Sequence, residues 1–487
     1  MKSIKPIQIL IYLIIVLFFL GLISLVFTYI FPEGIKISEN TTIRFSNIHD
    51  LFDKNNVKYA DIENIIDRKL DSTQLKELNS LEDSLAAFKK ISFENPARFH
   101  FPDGKENVLH DFFDALEKVE DNNSSLRILH YGDSQIEMDR ITGYVREQLQ
   151  QRFGGYGPGL QPAIQIIPST CIRQSSTGNW KRYASWGFGD SIRANHRRYG
   201  VMLNVSEFSG EAGIVFNQSH MAEKRAKLIK KVSVLLGNNE SEVTVGLYVN
   251  GKKLETKKIE PTQGMTKIDW SVDTIPKSIS LQFYSASTTE VYGISLDGKK
   301  GVAVDNLPMR GCSGTIFTKG DENLLKRSFE MLDVNLLILQ FGGNMMPSIN
   351  GPKNAVTYGE SFYKQIEFLK KLKPDMDIIV IGPADMSKKI DGSMQSYPYI
   401  KNVIEALKKA THDAGGVYWN MYEVMGGNNS MPSWVNKGLA GKDYIHFTTK
   451  GAQKISELFY EALINEYNLY RLKKRIDVIN NSASKGK

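Results

Sequence analysis

The stretch Leu126–Gly159, LRILHYGDSQIEMDRITGYVREQLQQRFGGYGPG, constrains this chain more than any other. A short apolar run, Leu126 to Tyr131, leads into Gly132-Asp133-Ser134. Apolar residues then recur at Ile136, Ile141, Val145 and Leu149. The run predicts a strand, and the recurrence predicts a helix with one apolar side. Strand, tight turn and helix in that order place Ser134 at the carboxyl end of a strand, where an open α/β sheet carries its chemistry. A helix starting just after Ser134 also points unpaired backbone N–H groups at that spot. A serine so placed is a nucleophile if a base lies within reach. Taken alone, Gly-Asp-Ser is equally what a turn with an N-cap requires, so the rest of the chain has to decide.

The α/β texture resumes after Asp305. Strands are expected at Val334–Phe341, Asp377–Ile381 and Val417–Tyr422. Helices are expected at Tyr358–Lys373, ended by Pro374, at Tyr399–Ala414, stopped by Gly415-Gly416, and at Ala452–Tyr467. Strand–helix alternation predicts a three-layer α/β/α domain with a parallel sheet covered on both faces. Residues 163–304 read differently. Short alternating runs such as Val201–Val205, Lys231–Leu236, Glu242–Val249 and Ser278–Tyr284 follow one another, and Asn250-Gly251 is a strong hairpin turn. They predict an inserted, jelly-roll-like β-sandwich that interrupts the α/β domain.

Ile9–Phe31 is uncharged and strongly apolar, long enough at about 34 Å to span a bilayer core. Lys2 and Lys5 precede it, and no small-residue cleavage site follows its apolar core, which favours an anchor over a removed signal peptide. The expected order is a cytoplasmic N-terminus (1–8), a transmembrane anchor (9–31) and a stalk (32–105) with helical patches at Ala60–Leu70 and Gln74–Lys90. The first part of the α/β domain (106–162), the β insert (163–304), its second part (305–470) and a basic tail (471–487) follow. The positive-inside rule then makes this a single-pass protein of the cell membrane with its body extracytoplasmic, in the periplasm. A net charge of +7 over 487 residues is mild. There is no zinc-ligand spacing, and no dense basic block outside Arg471–Arg475, so nucleic acid is not an expected partner. Cys171 and Cys312 form no metal motif. They either pair in an oxidising compartment or stay as two buried thiols.

Two later stretches bear on Ser134. In Asp443-Tyr444-Ile445-His446 a carboxylate three residues before a histidine can accept from one ring nitrogen and leave the other facing a nucleophile. In Phe341-Gly342-Gly343-Asn344 two glycines permit a tight turn, and the Asn344 amide can donate to a developing oxyanion. Each read alone is also an ordinary surface or turn feature.

Together, Gly132-Asp133-Ser134, Gly343-Asn344 and Asp443-x-x-His446 resemble the blocks of the SGNH (GDSL) hydrolases in their chain order. Gly311 stands where that family has an oxyanion-hole glycine. His130–Gly159, with its Gly154-Gly155-x-Gly157-Pro158-Gly159 ending, looks like the envelope-associated branch that includes peptidoglycan O-acetylesterases with an inserted β-sandwich. The resemblance covers roughly Asn107 to Tyr467. Met345 after Asn344 departs from the family's usual Gly-x-Asn-Asp. The resemblance implies a triad of Ser134, Asp443 and His446. It implies an oxyanion hole from the backbone N–H of Ser134 and Gly311 with the Asn344 side chain, and no metal or cofactor. The implied substrate is an acetylated envelope glycan such as peptidoglycan. Asp133 is expected to shape the turn rather than act as an acid. Trp180 and Trp186 are candidate polymer contacts, with the core as their other placement. Three other functions fit parts of the pattern. They are an O-acetyltransferase using the same triad, a lipid or thioester hydrolase, and a non-catalytic glycan-binding protein.

Overall fold

The computed structural model describes residues 6–30, 35–38, 41–43, 59–66, 85–86, 90, 95–122, 124–187 and 192–485. Most of the expected stalk, including nearly all of the Gln74–Lys90 patch, lies outside them. The chain divides into two compact units, Met1–Lys58 with Lys389–Gln395, and Tyr59–Lys388 with Ser396–Lys487. In the first unit, α1 (Pro6–Ile30) is a 25-residue helix without a charged residue. Its described apolar side chains, among them Ile11, Phe18, Phe19, Leu22 and Ile23, are exposed. Among the described residues no helix is long and apolar enough to cross a membrane. A short antiparallel hairpin, Ile35–Ser38 with Thr41–Ile43, completes what is described of this unit's N-terminal part.

The second unit is built on a six-stranded sheet. Its strands are β1 (Phe99–His100), β2 (Ser125–Gly132), β3 (Gly301–Pro308), β4 (Val334–Gln340), β5 (Asp377–Ile381) and β6 (Val417–Trp419). They lie in the order β3-β2-β4-β5-β6-β1 and are parallel except for β1 against β6. Its longer helices are α2 (His110–Asn122), α3 (Thr142–Phe153), α4 (Glu322–Leu332), α5 (Pro352–Leu372), α6 (Ile400–Asp413) and α7 (Thr449–Lys485).

Strand alternation sorts the core into two layers. Leu129, Tyr131, Leu337, Leu339, Ile378 and Val380 meet Phe329, Phe362, Ile366, Val403 and Leu407 from α4, α5 and α6. Leu126, Ile128, Leu336, Ile338, Ile379 and Ile381 meet Phe112, Leu116, Val145, Leu149, Leu458 and Phe459 from α2, α3 and α7. Both faces of the sheet are therefore dry, which is why its strands read as unbroken apolar runs. The α/β/α expectation describes this part of the molecule.

The expected limits at 105/106, 162/163 and 304/305 all move, the second because Gly159–Gln161 pairs with Ser278–Asp297 rather than with the parallel sheet. Ile62 is buried in the second core layer and Phe99–His100 is an edge strand of the sheet, so the α/β unit recruits residues before 106. A two-residue strand among polar neighbours carries no readable period. Gly301–Val304 were expected in the β insert but begin β3, in register with Ser125–Ile128. Apolar alternation at Val302 and Val304 is the same whichever sheet receives it, and hydrogen-bond partners decide.

Between β2 and β3 the chain forms a nine-stranded sheet, from Gly159–Gln161 to Ser278–Asp297. All its pairings are antiparallel. The long strand Ser278–Asp297 pairs with Val243–Val249 along its first half and with Lys231–Asn239 along its second. Inward residues of those two partners, Val245 and Val234 among them, share one core cluster. The Asn250-Gly251 turn closes its hairpin with both residues at positive φ, 51° and 79°, as the dipeptide predicts. The glycine-rich exit from α3 brings the two sheets together. Gly157 has φ +88°, and a Cβ there would collide with the Leu296 carbonyl, while Gly298 N donates to Tyr156 O at 2.8 Å.

The basic tail is no separate element, because α7 runs 37 residues to Lys485. Arg471 pairs with Glu120, Lys473 with Glu106, and Lys474 with Asp114 and Glu117.

Candidate active site

The parallel register aligns Gly132 with Pro308 on one side and Gln340 on the other, and Gln340 with Ile381 beyond it. The loops that follow these residues therefore emerge side by side at one end of the sheet. The nucleophile turn is pinned between its neighbours. Asp133 N donates to Gln340 O at 3.2 Å, and Met309 N donates to Gly132 O at 2.7 Å.

A regular helix does not follow Ser134 directly. Ser134–Asp139 is a tight 3₁₀ stretch broken at Glu137, and α3 begins only at Thr142. Met138 and Asp139 both have positive φ, 59° and 56°, an unfavourable conformation for side-chain-bearing residues. Side chains hold the turn there. Glu137 is gripped by Arg310 through two bonds of 2.6 Å, Asp139 by Arg146 at 3.0 Å and Ser169 at 2.6 Å. The periodicity of Ile136 and Ile141 hides the break, since both are buried in either geometry.

The three residues expected to form a triad meet. Ser134 Oγ lies 2.7 Å from His446 Nε2, and His446 Nδ1 lies 2.7 Å from Asp443 Oδ2. Asp443 Oδ1 accepts from the backbone N–H of Ile445 at 3.0 Å and of His446 at 3.1 Å. Burial pushes the Asp443 carboxyl up, but the bonds from the His446 ring and these two amides outweigh it and hold the group below its ordinary range. An ionised Asp443 accepts a hydrogen bond from Nδ1–H and so keeps the proton on that nitrogen, and Nε2 presents its lone pair to the Ser134 hydroxyl. Tyr444, at φ +58°, makes the turn that brings carboxylate and ring together.

Ser134 and His446 line a pocket of about 140 Å³. Its apolar wall comes from Phe341, Pro347, Pro383, Ala384, Met386 and Met421, and Gln135, Gln340 and Asn344 add polar groups. Asn344 Nδ2 donates to Asp133 Oδ2 at 3.2 Å and to Cys312 O at 3.1 Å. Gly311 follows Arg310 in the Met309–Cys312 turn at φ +75° and is not part of this pocket's wall. Asp133 accepts from Gln135 N at 2.9 Å, and burial raises its carboxyl to about 6. Its two bonds tie the nucleophile turn to Asn344, as the turn-shaping expectation has it.

Neither tryptophan lines this pocket. Trp180 packs edge-on against Phe283 and tilted against Phe208 within the nine-stranded sheet, and Trp186 is buried in the main core. Apolar packing accounts for both placements, and neither tryptophan is a contact of this pocket. Cys171 and Cys312 are two separate buried thiols. Asp385 is buried and bonded to Ser396 Oγ and Met431 N, with no contact to the His446 ring. Four supporting residues were not read from the sequence. Gln135 Nε2 holds Ile445 O at 2.6 Å, Arg140 Nη2 holds Ser134 O at 2.8 Å, and Glu137 with Arg310 clamps the turn. Only their closeness to the Gly-Asp-Ser and Gly311 turns could have flagged them. Among the described residues one group, His196, Glu207 and Glu290, approaches metal-ligating geometry, but Arg198, Asn238 and Tyr292 already occupy the Glu290 oxygens.

The same fold occurs in a solved esterase. A peptidoglycan O-acetylesterase superposes with a TM-score of 0.60 at 19% identity, covering 74% of this chain and 96% of that one. A family two carbohydrate esterase from Cellvibrio japonicus (7% identity, 61% of this chain, 98% of that one) and an acetyl xylan esterase from Butyrivibrio proteoclasticus (9%, 61%, 100%) each match with a TM-score of 0.25. No protein-family model and no curated protein matches the sequence.

Proposed function

We propose that this chain is a membrane-anchored serine esterase that removes O-acetyl groups from an envelope glycan such as peptidoglycan. The observation that carries the reading is the unbroken chain Ser134 Oγ–His446–Asp443, with both links at 2.7 Å, on the wall of a pocket at the carboxyl end of a parallel sheet.

The chemistry follows from those contacts. The Ser134 oxygen attacks the acetyl carbonyl while its proton passes to His446 Nε2. Asp443 keeps the ring oriented and stabilises the imidazolium. The negative charge on the tetrahedral oxygen is assigned to the donors that the resemblance implies, the backbone N–H groups of Ser134 and Gly311 and the Asn344 amide. His446 returns the proton to the departing sugar oxygen, which leaves an acetyl-serine. Water, deprotonated by His446, then releases acetate and restores Ser134. The residues alone supply this route.

The anchor is the reading of the sequence, in which Ile9–Phe31 is uncharged and strongly apolar and follows Lys2 and Lys5. The body would then lie outside the cytoplasm.

The test is incubation of the full-length, detergent-solubilised protein and its Ser134→Ala variant with O-acetylated cell-wall glycan, with free acetate assayed. Acetate release by the parent and none by the variant is expected. Transfer of acetyl to an added sugar without free acetate would replace the esterase by a transferase.

A further inference from the structure

A second pocket lies at the same end of the sheet as Ser134. Its wall includes Asn306, Leu307 and Pro308 at the end of β3 and Asp139 at the end of the nucleophile turn. Pro308 stands beside Gly132 in the register, and paired strands are about 4.8 Å apart. The pocket therefore flanks the nucleophile on the β3 side, while the catalytic pocket lies toward β4 and β5. Its other wall comes from the segment entering the nine-stranded sheet, with Leu160, Gln161, Trp186 and Met202.

Gln161 is only 7% exposed, and its amide, for which the described residues supply no partner, opens to the cavity. Asn306 Oδ1 accepts from Thr142 Oγ1 at 2.7 Å, which leaves its amide hydrogens uncommitted. The buried Trp186 indole N–H has no partner either. Buried polar groups are ordinarily paired, so an unpaired indole N–H beside a cavity lined by the Gln161 and Asn306 amides marks a place where a ligand completes the bonding.

Size and chemistry limit the ligand. The space is about 50 Å³, and one water needs about 10–15 Å³ on this measure, so roughly four heavy atoms fit. A pyranose ring does not. Asp139 is already taken by Arg146 and Ser169, and among the described residues no Lys or Arg lines the cavity, so an anion finds no counter-charge there. A flat group with one donor, one acceptor and a methyl matches. Gln161 supplies an acceptor and a donor, Asn306 a further donor, and Leu160, Trp186 and Met202 an apolar seat.

We propose that this pocket binds the acetamido group of an N-acetylated amino sugar on the same polysaccharide whose ester reaches Ser134. The position of that ester rests on the esterase reading; the pocket itself does not.

Binding to the full-length Ser134→Ala protein separates the two. The probes are an N-acetylglucosamine hexasaccharide and cellohexaose, which lacks acetamido groups. The amino-sugar probe is expected to bind about tenfold or more tightly, the scale of leaving a buried hydrogen-bonding group unpaired. Adding Gln161→Met, which keeps volume and breaks no protein hydrogen bond, should abolish the preference. Asn306→Asp, which keeps the acceptor for Thr142, should do the same. Equal affinity for the probes, a preference that survives both variants, or equal competition by an N-acetylated dipeptide would overturn the assignment. If the preference is present but the wild-type protein frees no acetate, the esterase reading falls and the pocket stands.

Discussion

Asn344 donates its side-chain amide to Asp133 and to the Cys312 carbonyl, so both of its amide hydrogens are already engaged. An oxyanion must therefore compete with an acceptor already in place. Asp133 is the one that changes, because burial lifts its carboxyl to about 6. Once protonated, it accepts less strongly and frees a donor.

Two substitutions follow from that contact. Asn344→Ala removes one of three oxyanion donors and should lower kcat on a small acetyl ester about 10²–10³-fold. Asp133→Asn sets an NH₂ group against either the Asn344 amide or Gln135 N and should lower kcat about 10–100-fold by misplacing Asn344. Full turnover in both variants would remove Asn344 from the oxyanion hole.

Arg310 and Glu137 form a two-bond pair between the turn that carries Gly311 and the turn that carries Ser134. The arginine is largely exposed, but Glu137 is buried. Arg310→Ala strands that carboxylate and should cost on the order of 1–3 kcal/mol in urea unfolding. It should also lower kcat about tenfold through the loosened oxyanion loop, with KM for the small ester little changed. A KM effect alone would make Arg310 a substrate contact instead.

Asp377 sits in the core side of β5, accepting from Phe112 N at 2.9 Å, and burial raises its carboxyl to about 7. The folded-state value lies above that of the unfolded chain. The neutral acid is therefore the favoured folded form, and its contribution is complete below pH 4. It is lost as pH rises through 7. A rise from 3.8 to about 7 bounds that loss at about 4 kcal/mol. Asp377→Asn keeps the acceptor and removes the charge, so its melting temperature should gain on the parent's between pH 4 and pH 8. Parallel curves for the two proteins would mean that Asp377 does not ionise in that range.

The parallel sheet was legible because strands buried on both faces must be apolar throughout, as Val334–Gln340 is. The triad was legible because Asp443 and His446 are local to one turn. Its meeting with Ser134 was carried by motif order, not by any periodicity. What stayed hidden depends on partners distant in sequence. Gly301–Val304 choose β2 over the nine-stranded sheet, and Trp186 ends in the core although its composition suits a sugar face equally. Residues such as Arg310 and Gln135 act through single long-range bonds that leave no local pattern.

The final prediction concerns the triad as a unit. Ser134→Ala deletes the attacking oxygen. Asp443→Asn presents an NH₂ group to His446 Nδ1, which must then become the acceptor. The ring proton moves to Nε2, and that nitrogen can no longer take the Ser134 proton. By analogy with serine proteases, each change should lower kcat about 10⁴-fold. Because the base is useful only to the nucleophile, Ser134→Ala with His446→Ala should be hardly worse than either alone. Each variant must first show the parent's melting transition. If the two losses instead multiplied, Ser134 and His446 would be acting in separate steps, and the 2.7 Å contact between them would not be the catalytic one.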